Sequence, residues 1–404
     1  MKKLLFIIFL TAFLKVQSQT PYTILISFDG FRWDYSEREI TPNLDKLAGQ
    51  GVSALSLRPC FPTKTYPNHL SIITGCYIEK HGIIANSFAD PLTGEEFSLS
   101  NRNTVQNEKW YKAKTFWELA EENGIKSASY FFPGSELKNP KRRPSYFHYY
   151  DHNLPYEDRI DGVIDWLKLP IKERPKFISL YFHETDSYGH KYGPDAPETN
   201  IAIALLDSML GILMHELENI DLRDSTNIIV LSDHGMTEIS TERVVNIEEL
   251  LNEYEVKIQG EKPFMLIEPD GDEIDEVYEI LKLHDEHYSV YKKQKIPEWF
   301  HYKNNNAISS ILVVAENGWS LVTNDWLESF NKYAGKGNHG YDNNHFDMHG
   351  IFYAAGPSFK NNYKTGTVWN IDIFPLLCEI YMLPVSENID GKSERINFIL
   401  KENK

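Results

Sequence analysis

An α/β fold, with a central and mostly parallel sheet flanked by helices, is predicted by three features of the sequence. Short apolar runs rich in β-branched and aromatic residues alternate with longer amphipathic stretches, the rhythm of strands joined by crossover helices. Three of these runs lead into polar residues: TILISF (23–28) ends at Asp29, FISLYF (177–182) is followed by Asp186, and IIVLS (228–232) ends at Asp233-His234. A fourth run, IFYAA (351–355), comes soon after Asn338-His339-Gly340. Ligands of open α/β sheets bind outside the carboxyl ends of the strands, so these acids and histidines belong to one candidate site. Any one of them alone reads as an ordinary loop carboxylate; three strand ends together argue against that reading.

The chain opens with a basic start, Met1-Lys2-Lys3, an apolar core from Leu4 to Leu14 and a small-residue boundary at Val16-Gln17-Ser18. This is the pattern of a signal peptide over 1–18, with cleavage expected after Ser18. The apolar core is too short to span a bilayer, and no later run of uninterrupted apolar residues reaches the length of a membrane span. The mature chain is expected to be secreted or periplasmic. The remainder, with 42% hydrophobic and 13% aromatic residues across the chain, suffices for one large core or two smaller ones. Net charge is −17, and cleavage removes three lysines to leave −20, which disfavours a nucleic-acid polymer as partner. A small anionic substrate then needs local positive charge, and bound metal supplies it. Cys60, Cys76 and Cys378 are too few for a disulfide framework.

From about 242 to 321 the pattern changes to short mixed elements separated by charge runs, which reads as a small α+β insertion or cap. Its Trp299, Tyr302 and Trp319 are expected to pack rather than bind. The catalytic domain is expected to span 19–391, and the polar tail, 392–404, to be peripheral.

Three pairings suit metal ligation. Asp186 and His190 are four apart, which puts them on one face of a helical turn. Asp233-His234 directly follows a buried strand. Asp29 ends the first strand, and His339 sits in Gly337-Asn338-His339-Gly340, where glycine permits close backbone approach. Aspartate and histidine without thiolate favour zinc over manganese or iron. A nucleophile candidate, Thr65, lies in Phe61-Pro62-Thr63-Lys64-Thr65-Tyr66-Pro67-Asn68-His69. Pro67 fits a first helical turn, placing Thr65 just before a helix N-terminus that favours an anion. A threonine there is either a plain cap or a nucleophile that a metal or base must activate.

The chain resembles the nucleotide pyrophosphatase/phosphodiesterase family of the alkaline phosphatase superfamily from Ile24 to about Pro384. The shared motifs, in order, are Asp29-Gly30, Lys64-Thr65-Tyr66-Pro67-Asn68-His69, Thr74-Gly75 with His81-Gly82-Ile83, Phe132-Pro133-Gly134-Ser135, Asp186 with Gly189-His190 and Gly193-Pro194, Ser232 to Met236, and Gly337 to Asn343. The resemblance implies an alkaline-phosphatase-like fold and two Zn2+ per chain. One would be held by Asp186, His190 and His339, the other by Asp29, Asp233, His234 and the Thr65 oxygen. It implies cleavage of phosphodiester or phosphoanhydride bonds of small nucleotides through a nucleotidyl-threonine, releasing nucleoside 5′-monophosphates. Asn86, with the Thr65 amide, would hold a non-bridging oxygen. Tyr66 and Tyr150 would sandwich the base, with Leu99, Phe132 and Tyr181 as further substrate contacts. Glu136 stands where the family often has aspartate. No lysine occupies the position that some members use at the base edge, so base selectivity is expected to be modest. His69, His81, His183, His345 and His349 match no ligand position and are read as packing or supporting groups.

Four alternatives compete. Cys60-Phe61-Pro62-Thr63-Lys64 approaches the sulfatase Cys-x-Pro-x-Arg pattern, but Lys64 replaces the arginine. A phosphomonoesterase or phosphonate hydrolase would share the two-metal site. A lysophospholipid phosphodiesterase would need an apolar channel, and a catalytically dead binding ectodomain would be expected to lack a filled ligand set.

Overall fold

Strand β1 (Tyr22–Phe28) is buried along its whole length because both faces are covered. Ile24, Ile26 and Phe28 enter one core while Leu25 enters the other, as two-residue periodicity requires. The structure, a computed structural model, describes residues 20–91, 93–327, 335–385 and 387–402; the signal segment expected over 1–18 lies outside them. The main sheet adds β2 (Val52–Ala54), β3 (Ser127–Tyr130), β4 (Tyr146–His148), β5 (Phe177–Phe182), β6 (Thr226–Leu231), β7 (Phe352–Ala355) and β8 (Tyr363–Thr365). Its order is β8-β2-β7-β6-β1-β5-β3-β4. β7 alone runs against the others, pairing antiparallel with β6 and β2. The mostly parallel sheet predicted from the sequence is therefore observed.

Helices cover both faces. The β1 face bearing Ile24 and Ile26 packs on α1 (Pro42–Gln50), α4 (Tyr156–Lys168) and α6 (Pro197–Asn219). The opposite face packs on α2 (Thr65–Thr74), α3 (Phe116–Glu122) and α8 (Ile373–Tyr381). The remaining helices used below are α5 (Glu184–Tyr192), after β5, and α7 (Ile274–Leu283). Among the described residues one helix, α6, is long and apolar enough to cross a membrane. Its Ile203, Leu206, Leu210, Leu213 and Leu217 form a stripe at helical spacing that is buried in the core.

Residues 242–321, expected to form an insertion or cap, contain a four-stranded antiparallel sheet, in the order Val256–Glu261, Phe264–Pro269, Ile311–Ala315, Tyr288–Lys292, with α7 against it. Met265, Ile267, Ile311 and Val313 share a core with Val277 and Leu281 of α7, whereas Phe264, Leu266, Leu312 and Val314 join Phe61 and Tyr302 in the main core. Tyr302 and Trp319 pack as expected, the latter stacked on His287 with centroids 3.5 Å apart; Trp299 is exposed.

The tail expected to be peripheral is not. Ile396 and Ile399 are fully buried, Leu400 bridges to Phe359, and Arg395 pairs with buried Asp372. Composition misled here because a few apolar residues spaced along a polar stretch suffice to dock it. Cys60, Cys76 and Cys378 are buried free thiols.

Candidate active site

The register of three parallel strands assembles the centre of the site. Ser27 pairs with Leu231 and Phe28 with Phe182, so the next residues, Asp29 and Asp233, leave adjacent strand ends side by side. The Gly30 amide donates to Asp233 Oδ1 at 3.3 Å, and Thr185 Oγ1 donates to the Asp29 carbonyl at 2.5 Å. The chain then enters α5, where Asp186 Oδ1 lies 3.3 Å from His190 Nε2 one turn on. His339 arrives from far in sequence. Gly337-Asn338 pairs antiparallel with Thr237-Glu238, directly beyond Asp233-His234. A side chain at 337 would meet the Gly189 carbonyl at 2.4 Å, so glycine alone permits this approach to α5. His339 Nε2 then lies 3.1 Å from His190 Nε2 and 3.5 Å from Asp186 Oδ1.

Two candidate ligand sets result: Asp29, Asp233 and His234, all buried, and Asp186, His190 and His339, of which only His339 is buried. Each histidine turns Nδ1 toward a main-chain carbonyl: His234 to Gly235 at 2.8 Å, His190 to Gly337 at 2.9 Å, His339 to Thr63 at 2.7 Å. A carbonyl only accepts, so Nδ1 carries a proton in each ring and Nε2 is the atom turned into the site, with a free lone pair whenever the ring is neutral. The Nε2 atoms of His190 and His339 thus face each other, two acceptors when both rings are neutral. Asp29 Oδ1, Asp186 Oδ1 and Asp233 Oδ2 are buried and accept no hydrogen bond, although histidine nitrogens stand 3.1–3.3 Å away. Unpartnered buried acceptors are costly, and cations between them would satisfy all of them. The mixed nitrogen and oxygen donors suit zinc. The electrostatics carry the same strain: burial, reinforced by Asp233 and Asp186, pushes the Asp29 carboxyl up to about 7. Burial alone would lower His234, but Asp233 and Asp29 bring it up to about 9. Burial and the nearby His234 and Lys64 cations hold His339 well below the ordinary imidazole range.

Thr65 is the first residue of α2 rather than the cap before it, a role taken by Lys64; Pro67 still falls within the first turn. Thr65 Oγ1 lies 3.2 Å from His234 Nε2, beside the first ligand set. Asn86 accepts the Tyr66 amide proton on Oδ1 at 3.0 Å, which leaves its NH2 as donor. Lys64, a position given no role from the sequence, is almost completely buried and acts electrostatically on Asp186, His190 and His339. Its adjacency to Thr65 was the available signal.

The expected substrate contacts divide. Tyr150 is half-buried near Tyr181, with the Arg102 guanidinium 5.8 Å from its ring centre, and Leu99 is exposed, its amide donating to the Asn86 carbonyl. Tyr66 is 6% exposed; its hydroxyl meets Tyr111 at 3.1 Å and accepts the Gly134 amide at 3.1 Å. Phe132 and Tyr181 lie beneath the ligand sets. Phe132 is 1% exposed, with its ring packed edge-on against His69 and Trp117. Tyr181 points its hydroxyl at Asp29 Oδ2, at 2.5 Å. Both occupy strand-end positions that aim them beneath the ligands, a direction that motif order does not encode.

A family model of type I phosphodiesterase / nucleotide pyrophosphatase matches residues 23–342. Human ectonucleotide pyrophosphatase/phosphodiesterase family member 5 is 36% identical, over 90% of this chain and 75% of its own length. The bis(5′-adenosyl)-triphosphatase enpp4 of Xenopus laevis is also 36% identical, over 90% and 78%. A solved structure of murine ectonucleotide pyrophosphatase/phosphodiesterase 5, an inactive threonine-to-alanine variant in complex with AMP, is similar with a TM-score of 0.88 at 34% identity, covering 94% of this chain and 100% of that one.

Proposed function

The chain belongs to the type I phosphodiesterase / nucleotide pyrophosphatase family and is a metal-dependent hydrolase of that kind, and we propose that it cleaves small nucleotides in two steps through a covalent bond to Thr65. The observation that carries this reading is the position of Thr65 Oγ1, 3.2 Å from His234 Nε2 at the N-terminus of α2. Asp29, Asp233 and His234, with the Thr65 oxygen, would hold one zinc, and Asp186, His190 and His339 the other. When bound, the two ions supply Lewis acidity to the phosphate and make the nearby hydroxyl and water easier to ionise.

The residues of the chain do the rest. Thr65 Oγ forms a bond to phosphorus as the bond to the leaving oxygen breaks, and its proton leaves with the first alcohol or phosphate. The Thr65 amide at the start of α2 and the Asn86 NH2 face the charge that develops on a non-bridging oxygen. Water then displaces Thr65 from phosphorus, one water proton passes to Oγ, and a nucleoside 5′-monophosphate leaves. Tyr150 stacks on the base beside Leu99, with Tyr66 as a buried wall. The AMP complex of the murine relative, inactive with a threonine replaced by alanine, supports both the threonine and the product. The bis(5′-adenosyl)-triphosphatase relative supports dinucleotides as one substrate class. Residues 1–18 would act as an export signal, in keeping with the ectonucleotide relatives.

The test combines metal analysis with trapping. Two zincs per chain, loss of turnover on chelation with recovery on zinc addition, and substrate phosphorus on Thr65 are expected. Full activity without a transition metal, or label on another residue, would overturn the reading. N-terminal sequencing of the exported enzyme should begin at Gln19.

A further inference from the structure

Histidine 69 is fully buried and belongs to neither ligand set, yet it touches three of the elements that build the site. Its Nδ1 lies 2.8 Å from the carbonyl of Thr65 and 3.3 Å from Asp233 Oδ2. Its Nε2 lies 2.8 Å from Ser27 Oγ, two residues before Asp29 on β1 and on the same face of the strand. Nδ1 faces only acceptors, so it carries a proton whatever the state of Nε2. The ring is clamped edge-on by Phe132 at 4.9 Å and Tyr181 at 5.4 Å, and the Tyr181 hydroxyl donates to Asp29.

We propose that His69 is a positioning residue that ties the first turn of α2 to the ends of β1 and β6, and so fixes the Thr65 hydroxyl against Asp29 and Asp233. Among the described residues no buried imidazole outside the two sets stands beside the second one, whose histidines lean on main-chain carbonyls and which has the Lys64 cation nearby. The function of His69 is therefore one-sided: it acts on Thr65 and the Asp29 set and leaves the Asp186 set alone. Two residues first counted as substrate contacts, Phe132 and Tyr181, find their role here as walls that keep the imidazole in plane. The inference rests on Thr65 being the nucleophile.

The test compares wild type, His69→Phe, His69→Gln and Ser27→Ala, each loaded with zinc. A misplaced nucleophile can cost about 10²-fold, so His69→Phe should slow single-turnover formation of the Thr65 adduct by about that factor, with KM within about 3-fold. Groups that support metal ligands typically govern affinity by about 10- to 100-fold. Chelator competition should accordingly show one zinc weakened and the other unchanged. His69→Gln keeps a donor and an acceptor and should recover part of the loss, and Ser27→Ala should move in the same direction by less. Equal weakening of both zincs, or adduct formation within about 3-fold of wild type in any folded His69 variant, would overturn the proposal. If His69→Phe does not fold, the Gln and Ala variants decide by the same two readouts. Absence of any adduct on Thr65 in wild type would instead defeat the nucleophile assignment, and the zinc-affinity comparison would still judge His69.

Discussion

The two ligand sets of this site are built by different means. Asp29, Asp233 and His234 leave the ends of adjacent parallel strands and are buried, and their neighbours include Tyr181, whose hydroxyl donates to Asp29, and His69, 3.3 Å from Asp233. Asp186 and His190 stand on a helix, with side chains 20% and 38% exposed, and are completed by His339 from a loop about 150 residues further on. Strand register places ligands as rigidly as the sheet itself, whereas a helix face and a distant loop are held by fewer contacts. One set should therefore behave as part of the core and the other as an exchangeable rim.

The largest expected effect falls on the first set. Thr65→Ala should keep the fold and lose about 10³-fold or more of the rate, and Thr65→Ser should keep more activity; steady-state kinetics and circular dichroism decide. A Thr65→Ala enzyme within tenfold of wild type would erase the distinction between the sets. Next, chelation should release metal in two phases, with the Asp186 set emptying first because solvent reaches it. His190→Ala should abolish the fast phase and leave the slow one, and a single phase in wild type would make the two sets equivalent. A smaller effect is expected at the pocket edge: Tyr150→Ala should raise KM for nucleotide substrates by about 5- to 100-fold, the range that one lost stacking contact spans. A chromogenic diester with no base should respond far less; equal responses would turn Tyr150 into a support for the site. The smallest effect lies far from either set. Arg395→Ala leaves Asp372 buried and unpaired and should cost about 2 kcal/mol, below the roughly 3–5 kcal/mol of fully buried pairs because Arg395 is 32% exposed. Urea unfolding measures this, and an unchanged midpoint would return the tail to the periphery.

The sequence alone carried the sheet and singled out the six carboxylate and imidazole residues that the structure brings together. Strands buried on both faces must be continuous apolar runs, and the polar residue that ends each run marks the strand's carboxyl end. The four-residue step from Asp186 to His190 is likewise local geometry, as are the glycines around His339. Direction was not legible. Phe132, Tyr181 and His69 all lie in or next to recognisable motifs, but whether each faces substrate, ligand or core depends on which neighbours fill the space beneath the strand ends. Nor was the docking of 392–402 legible, because its few apolar residues gain meaning only from the core that receives them. Residue type and short-range spacing are written in the chain and persist in any fold it adopts. Facing and burial come from contacts between residues tens to hundreds of positions apart, and only the closed tertiary structure determines them.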